Sequence, residues 1–369
     1  MIRTLGLFAA LATLPAFAGA EIRQTSAGPV EVTLMAEDLD TPWAHTHLPG
    51  GGVLITERDG RIWHFDQRWE RQEVAGVPDV RARGQGGLLD VVAARDFAET
   101  REVFLTYSEP RDSGAGTALA VARLSADGGR LEDLQVIFQQ REPSSAGRHF
   151  GSRVVESDDG TLFLTVGDRA DRELAQDLSL HHGKVLRVNR DGSVPADNPF
   201  VGDGDVAPEI WSYGHRNPQG AALDEDGRLW TISHGARGGD EVNRPEPGKN
   251  YGWPVISYGT HYSGFSIGDG TAKVGMEQPL FYWDPSIAPS GAMIYSGRLF
   301  PDWAGDIFTG SLKFDHLSRL DRQGSRIADE ERLFAEEYTR IRDVREGLDG
   351  AIWFLSVGDD ALYRVTPAE

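Results

Sequence analysis

The sequence predicts an all-β fold, a six-bladed β-propeller of four-stranded antiparallel blades. Three observations predict it. One turn-then-strand pattern occurs six times. Its instances lie roughly 45 to 80 residues apart, the loose repeat that radial blades give. Amphipathic helical periodicity is scarce along the chain. Radial repetition leaves only short, protected sheet edges.

In chain order, the glycine-rich turn 49–52 leads into the apolar run 53–56, and Asp96 to Glu102 leads into 103–107 as the weakest unit. Asp158-Asp159-Gly160 precedes 161–166, and the acidic turn 224–227 precedes 228–232. Residues 301–305 precede 306–309, and Leu348-Asp349-Gly350 precedes 351–355. Each run is rich in β-branched and aromatic residues and bounded by turn formers. Asp-Gly pairs suit hairpins because both residues tolerate positive φ. No linker divides the chain, so residues 21–369 read as one propeller domain. The longest irregular stretch, 237–285, is rich in Gly, Pro, Tyr and Trp. A loop of that length is expected to be functional.

Residues 1–20 read as a secretory signal peptide. Arg3 is the only charge, an apolar run 5–14 follows, and Ala18-Gly19-Ala20 forms an A-x-A cleavage site. Cleavage is expected after Ala20, with a periplasmic or secreted product. No later segment has the apolar length of a membrane helix, so no membrane span is expected. The chain carries 37 basic and 57 acidic residues, a formal net charge of −20. That field repels nucleic acid and anionic membrane surfaces. With no cysteine, disulfides and Cys-ligated metals are excluded.

Five polar clusters sit beside these strands. Gly84-Gln85-Gly86-Gly87 lets backbone approach a ligand, with Gln85 as both donor and acceptor. Arg148-His149-Phe150-Gly151-Ser152-Arg153, with Gly167-Asp168-Arg169, offers a histidine that titrates near neutrality. The stretch 210–220 packs Arg216, Asn217 and aromatics into one loop, suited to a planar anionic ligand. Residues 234–243 and 248–254 supply Asp, Glu, Asn and carbonyl oxygens, the hard ligands that Ca²⁺ needs, without the EF-hand spacing. Lys313, Arg340 and Arg342 place three cations beside late strands of an acidic chain. Taken singly, each cluster reads equally as a structural turn, a loop salt bridge or surface charge.

In order, and over nearly the whole mature chain, these clusters resemble one family. The stretches GQGGLLDV, HFGSR, EIWSYGHRNPQG, HGARGGDEVN, GKNYGWP, HYSGF, EQPLFYW, GSLK and RIRDV are similar to the aldose sugar dehydrogenases dependent on pyrroloquinoline quinone (PQQ). The soluble PQQ glucose dehydrogenases are a more distant likeness. The resemblance implies PQQ over the central channel of the propeller. It implies His149 as general base, with Arg342 beside it in the catalytic set. Gln85, Arg216, Asn217, Tyr262, Lys313, Arg340 and Arg342 would form the cofactor and substrate pocket, with Asp168 beside Gln85 on the substrate side. One Ca²⁺ would meet the Gly235 and Ala236 carbonyls, and a second, structural ion would use Glu241 and Tyr251.

The implied reaction is oxidation of an aldose at its anomeric carbon to a lactone, with electrons passed to an external acceptor. A monomer or homodimer is expected. Arg148 stands before His149 where the glucose dehydrogenases have an acid, which bears on substrate choice and on the basicity of His149. His215 before Arg216, Ala236 in place of a proline, and the His181-His182 pair are further departures. Two alternatives compete: a calcium-dependent lactonase and a non-enzymatic binding propeller. The lactonase requires carboxylates converging on the channel. The binding module predicts that Arg216, Arg340 and Arg342 lie outside any pocket.

Overall fold

The computed structural model describes residues 20–368. The signal peptide read over residues 1–20 therefore lies, but for Ala20, outside the described residues. Six antiparallel sheets follow one another along the chain. Blade 1 comprises Pro42–His47, Val53–Glu57, Arg61–Phe65 and Arg71–Glu73. Blade 2 comprises Leu88–Ala93, Glu102–Arg111, Gly114–Leu124 and Leu131–Gln139. Blade 3 comprises Val154–Glu156, Leu162–Val166, Lys184–Val188 and Ile210–Tyr213. Blade 4 comprises Pro218–Leu223, Leu229–Ser233, Asp240–Asn243 and Phe281–Trp283. Blade 5 comprises Pro289–Ile294, Ile307–Ser311, Leu317–Gln323 and Arg326–Leu333.

Blade 6 departs from the four-stranded expectation. Ile341–Glu346, Ile352–Ser356 and Ala361–Pro367 are joined by two strands from the other end of the chain, Gly28–Ala36 and Glu21–Thr25. Val32 pairs with Val365 and Leu34 with Tyr363, so the two ends close the ring. The C-terminal end supplies only three strands, so Gly28–Ala36 completes the blade as its fourth and Glu21–Thr25 adds a fifth at the outer edge.

Every turn-then-strand unit read from the sequence is the second strand of its blade. Val53–Glu57, Leu162–Val166, Leu229–Ser233, Ile307–Ser311 and Ile352–Ser356 are buried at every position. Strands covered on both faces need continuous apolar runs, which is why these stand out. Outer strands such as Arg71–Glu73 are exposed throughout and carry no such signal. Aromatic clusters fill the spaces between blades: Phe354, fully buried, meets the rings of Phe334, Tyr338 and Tyr363. Truncating such a side chain to alanine costs about 3–5 kcal/mol.

The first strands of the blades neighbour one another around the central axis. There they build a charged plug. Arg153 reaches Asp343 at 2.9 Å and Asp90 at 3.2 Å. Arg345 reaches Asp343 at 3.0 Å and also pairs with Asp90. His45 lies 3.2 Å from Asp343. Although burial alone would raise it, the carboxyl of Asp343 is held far below the usual range by Arg153 and Arg345. Each buried charge in the plug has an opposite partner, as burial demands.

Candidate functional site

Loops entering blades 2 and 3 converge on His149. Gly84 has φ +65°, and a Cβ there would stand 2.2 Å from the Gly147 carbonyl, so only glycine lets the two loops touch. This contact aims Gln85, whose Oε1 accepts the His149 backbone N–H at 2.7 Å. Gly167 lies equally close, with a Cβ position 2.2 Å from the His149 carbonyl. His149 itself holds φ 56°, a left-handed conformation that costs a non-glycine residue free energy and is kept only by its surroundings.

The His149 ring is buried, with Nδ1 2.6 Å from Asp168 Oδ1. A carboxylate acceptor fixes Nδ1 as the protonated nitrogen and leaves Nε2 with its lone pair. No hydrogen-bond partner for Nε2 exists among the described residues. Burial pushes the His149 pKa down, partly offset by Asp168, and Arg216 pushes it down further. Burial would raise Asp168, but His149 and Arg216 outweigh it and hold the carboxyl low. The pair is thus a neutral imidazole oriented by an ionised carboxylate, an arrangement that can take up a proton at Nε2.

Beside this pair lies a cavity of about 120 Å³ lined by Trp43, Arg58, Gln85, His234, Arg340 and Arg342 among others, with no acidic residue in its wall. Arg342 donates to Gln219 Oε1 at 2.7 Å and stacks on Trp43 at 4.6 Å, while its Nε is buried without a partner. Burial lowers the Arg342 pKa to about 9, so it stays charged at neutral pH. Arg340 donates to the Leu312 carbonyl at 3.0 Å. Arg216 bonds the Gly235 carbonyl and lies over Trp253, with no carboxylate partner. His234 stands near Arg216, Arg342 and His149, linking the cavity to the base. Burial drives its pKa down to about 3, so it is neutral. Together these groups suit a planar polyanion next to a proton acceptor.

The structure brings Gln85, His149, Asp168 and Arg216 into one set, and Gln85, Arg340 and Arg342 into one cavity wall. Asn217 is buried and spends its Oδ1 on the Gly151 N–H at 3.1 Å. Lys313 lies outside the cavity, exposed over the Phe314 ring in a neighbouring groove with Trp283 and Arg332. Tyr262 is 75 % exposed at the rim, close enough for its phenol to act on Arg216 electrostatically. Gly235 donates its N–H to Asp240 Oδ1 at 2.7 Å, and Ala236 is buried beside it. Asp240 also accepts from Ser286 and Ala288, so it anchors this loop. The Glu241 carboxylate takes one amide bond from Asn243 and no cation, and burial pushes its pKa up to about 7. The Tyr251 hydroxyl lies between the Arg244 carbonyl and the Glu246 N–H, and no contact joins it to Glu241. Among the described residues no three His, Cys, Asp or Glu side chains converge as a metal site.

The sequence marks neither Trp43 nor Arg58, and His234 only as the first residue of the stretch 234–243. They come from blades 1 and 4, and each alone reads as core or surface. Among the departures from the family pattern, the three histidines are structural. His215 stacks on Tyr251 at 4.8 Å and bonds Ser212, and burial drives its pKa to about 3. His181 and His182 are buried loop residues. Arg148 stays exposed, and its carbonyl receives Arg169.

Comparisons with known proteins agree with this geometry. The sequence model of the family "Glucose / Sorbosone dehydrogenase" matches residues 39–364. The aldose sugar dehydrogenase YliI of Escherichia coli is 43% identical over 345 residues, spanning 92% of this chain and 93% of its own. Quinoprotein glucose dehydrogenase B of Acinetobacter calcoaceticus is 25% identical, spanning 94% of this chain and 90% of its own. The crystal structure of the soluble E. coli aldose sugar dehydrogenase in its apo-form superposes with a TM-score of 0.89, covering 92% of this chain and 100% of that one. The PQQ-bound aldose sugar dehydrogenase of Streptomyces coelicolor, 26% identical, superposes with a TM-score of 0.76, covering 91% of this chain and 98% of that one.

Proposed function

The chain belongs to the glucose/sorbosone dehydrogenase family, and on that premise we propose that it is a PQQ- and calcium-dependent dehydrogenase that oxidises aldoses at the anomeric carbon. The observation that carries this reading is the acid-free cavity wall of Arg58, Arg340 and Arg342 beside the His149–Asp168 pair. PQQ is a planar tricarboxylate, and cations without counter-carboxylates fit it: Arg342 retains an unpartnered Nε, and Arg216 has only carbonyls.

Arg216, Arg340 and Arg342 would hold the carboxylates, with Arg58 adding positive field. PQQ, when bound, supplies a two-electron quinone that takes the hydride and later yields electrons to an external acceptor. His149 Nε2 takes the proton of the anomeric hydroxyl. Asp168 keeps Nδ1 protonated and stabilises the imidazolium that results. Gln85 holds the backbone of His149 in its strained conformation and faces the sugar. Loss of the hydroxyl proton and of the C1 hydride leaves a lactone.

Calcium is proposed as the companion ion, bound by the Gly235 and Ala236 carbonyls, which are hard oxygen donors. A second ion at Glu241, with Tyr251, is supported by a carboxylate that lacks any cation. Export to the periplasm is proposed from the leader, and N-terminal sequencing of the exported protein should begin at Glu21. No helix among the described residues is long and apolar enough to cross a membrane.

The lactonase alternative requires carboxylates converging on the channel to hold a metal, whereas Asp90 and Asp343 there are already paired with Arg153 and Arg345. The deciding assay adds PQQ and Ca²⁺ to purified protein and follows dye reduction with an aldose. Reduction only with both supports the proposal; lactone hydrolysis without PQQ refutes it.

A further inference from the structure

The irregular stretch 237–285 reaches the catalytic pair through Trp253. Its indole Nε1–H donates to Asp168 Oδ2 at 2.9 Å. Oδ1 of the same carboxylate is engaged by His149 and by the Ala170 N–H at 2.8 Å. Among the described residues Trp253 is therefore the one side chain that fixes the second oxygen, and with it the rotation of the carboxylate plane. The face of the same ring carries Arg216, 5.4 Å from its centroid. Arg216 acts on Asp168 electrostatically, yet no ion pair joins them. Trp253 is itself clamped, donating its N–H to the Gly214 carbonyl at 2.9 Å and accepting Gln176 Nε2 at 2.7 Å.

We propose that Trp253 is a positioning residue that holds Asp168 on His149 and keeps Arg216 from pairing with that carboxylate. A direct Arg216–Asp168 ion pair would draw the carboxylate from Nδ1 and consume a cation needed for an anionic ligand. The indole prevents both. Its edge satisfies the oxygen with a neutral donor, and its face seats the guanidinium by cation–π attraction. This inference rests on His149 as the base.

Trp253→Phe keeps a ring for Arg216 and deletes the donor. A carboxylate that loses a hydrogen bond becomes a stronger proton acceptor, so the His149–Asp168 pair binds its proton more tightly. Arg148, Arg216 and the neutral His234 also face His149, and none of them is altered. The His149 ring titration, followed by NMR in the protein without cofactor, should move upward by about half a unit to one unit. The acid limb of the kcat/KM profile of the loaded enzyme should move the same way. An unchanged His149 titration in folded Trp253→Phe would overturn the proposal. If that variant does not fold, the indole N–H of Trp253 in the unsubstituted chain is read instead. It should shift with the His149 titration, and a pH-invariant resonance overturns the proposal equally. Full turnover by His149→Gln would defeat the base assignment alone, since the titration shift stands apart from activity.

Discussion

Two groups of arginines meet on the strand Ile341–Glu346 and are treated oppositely. In the channel plug, Arg153 and Arg345 are matched by Asp90 and Asp343. One residue along, Arg342 faces the cavity with Arg340 and Arg58 and finds no acid. The plug raises the pKa of Arg345, through Asp343 and Asp90 winning over burial, whereas burial lowers that of Arg342. Neutralised charge serves the fold. Unneutralised charge is a standing cost that a bound anion relieves, which is how a binding site differs from a structural network of the same residue types.

The sharpest way to separate the two regions is through their chemistry. His149→Ala should lower kcat by ~10²–10⁴ while PQQ still binds, measured by dye reduction beside a binding titration. Asp343→Asn should act on the other quantity. It leaves Arg153 and Arg345 to share Asp90 alone, with one buried positive charge uncompensated, and should cost about 3–5 kcal/mol in denaturant unfolding. Arg342→Gln should reverse that pattern, leaving the unloaded protein as stable or more so while weakening PQQ about tenfold or more.

Acid exposes a smaller contrast. His47, His215 and His234 have folded pKa values pushed by burial to about 3. Their unfolded forms bind protons first as pH falls, so stability should decline from about pH 6.5 downward. Asp343, with its depressed pKa, adds its loss only below about pH 4. Unfolding free energies at pH 7, 5 and 3.5 should fall in both chains, with the same drop from pH 7 to 5 and a smaller drop from pH 5 to 3.5 in the Asp343→Asn variant.

The two regions also differ in how far the sequence foretells them. Second strands are legible because burial on both faces forces apolar runs such as 352–356. The closure of blade 6 is not, since Val32 and Val365 pair across almost the whole chain and neither end alone marks a partner. His149, Gln85 and Asp168 are legible as motif residues on adjacent loops. Trp43 is not, because an isolated tryptophan carries the signature of a core residue, and Trp253 is legible only as part of the stretch GKNYGWP, which does not say that it orients a charge. Lys313 shows the converse: a cation in the right motif that the fold turns outward over Phe314.

The central claim is that the acid-free cavity receives a polyanionic quinone. Thermal unfolding of the purified protein, with and without PQQ in Ca²⁺, tests it most directly, because a ligand that binds only the folded state raises its melting temperature. The account predicts a rise in the unsubstituted chain that is largely lost in Arg342→Gln. Equal melting temperatures with and without PQQ in the unsubstituted chain would contradict it.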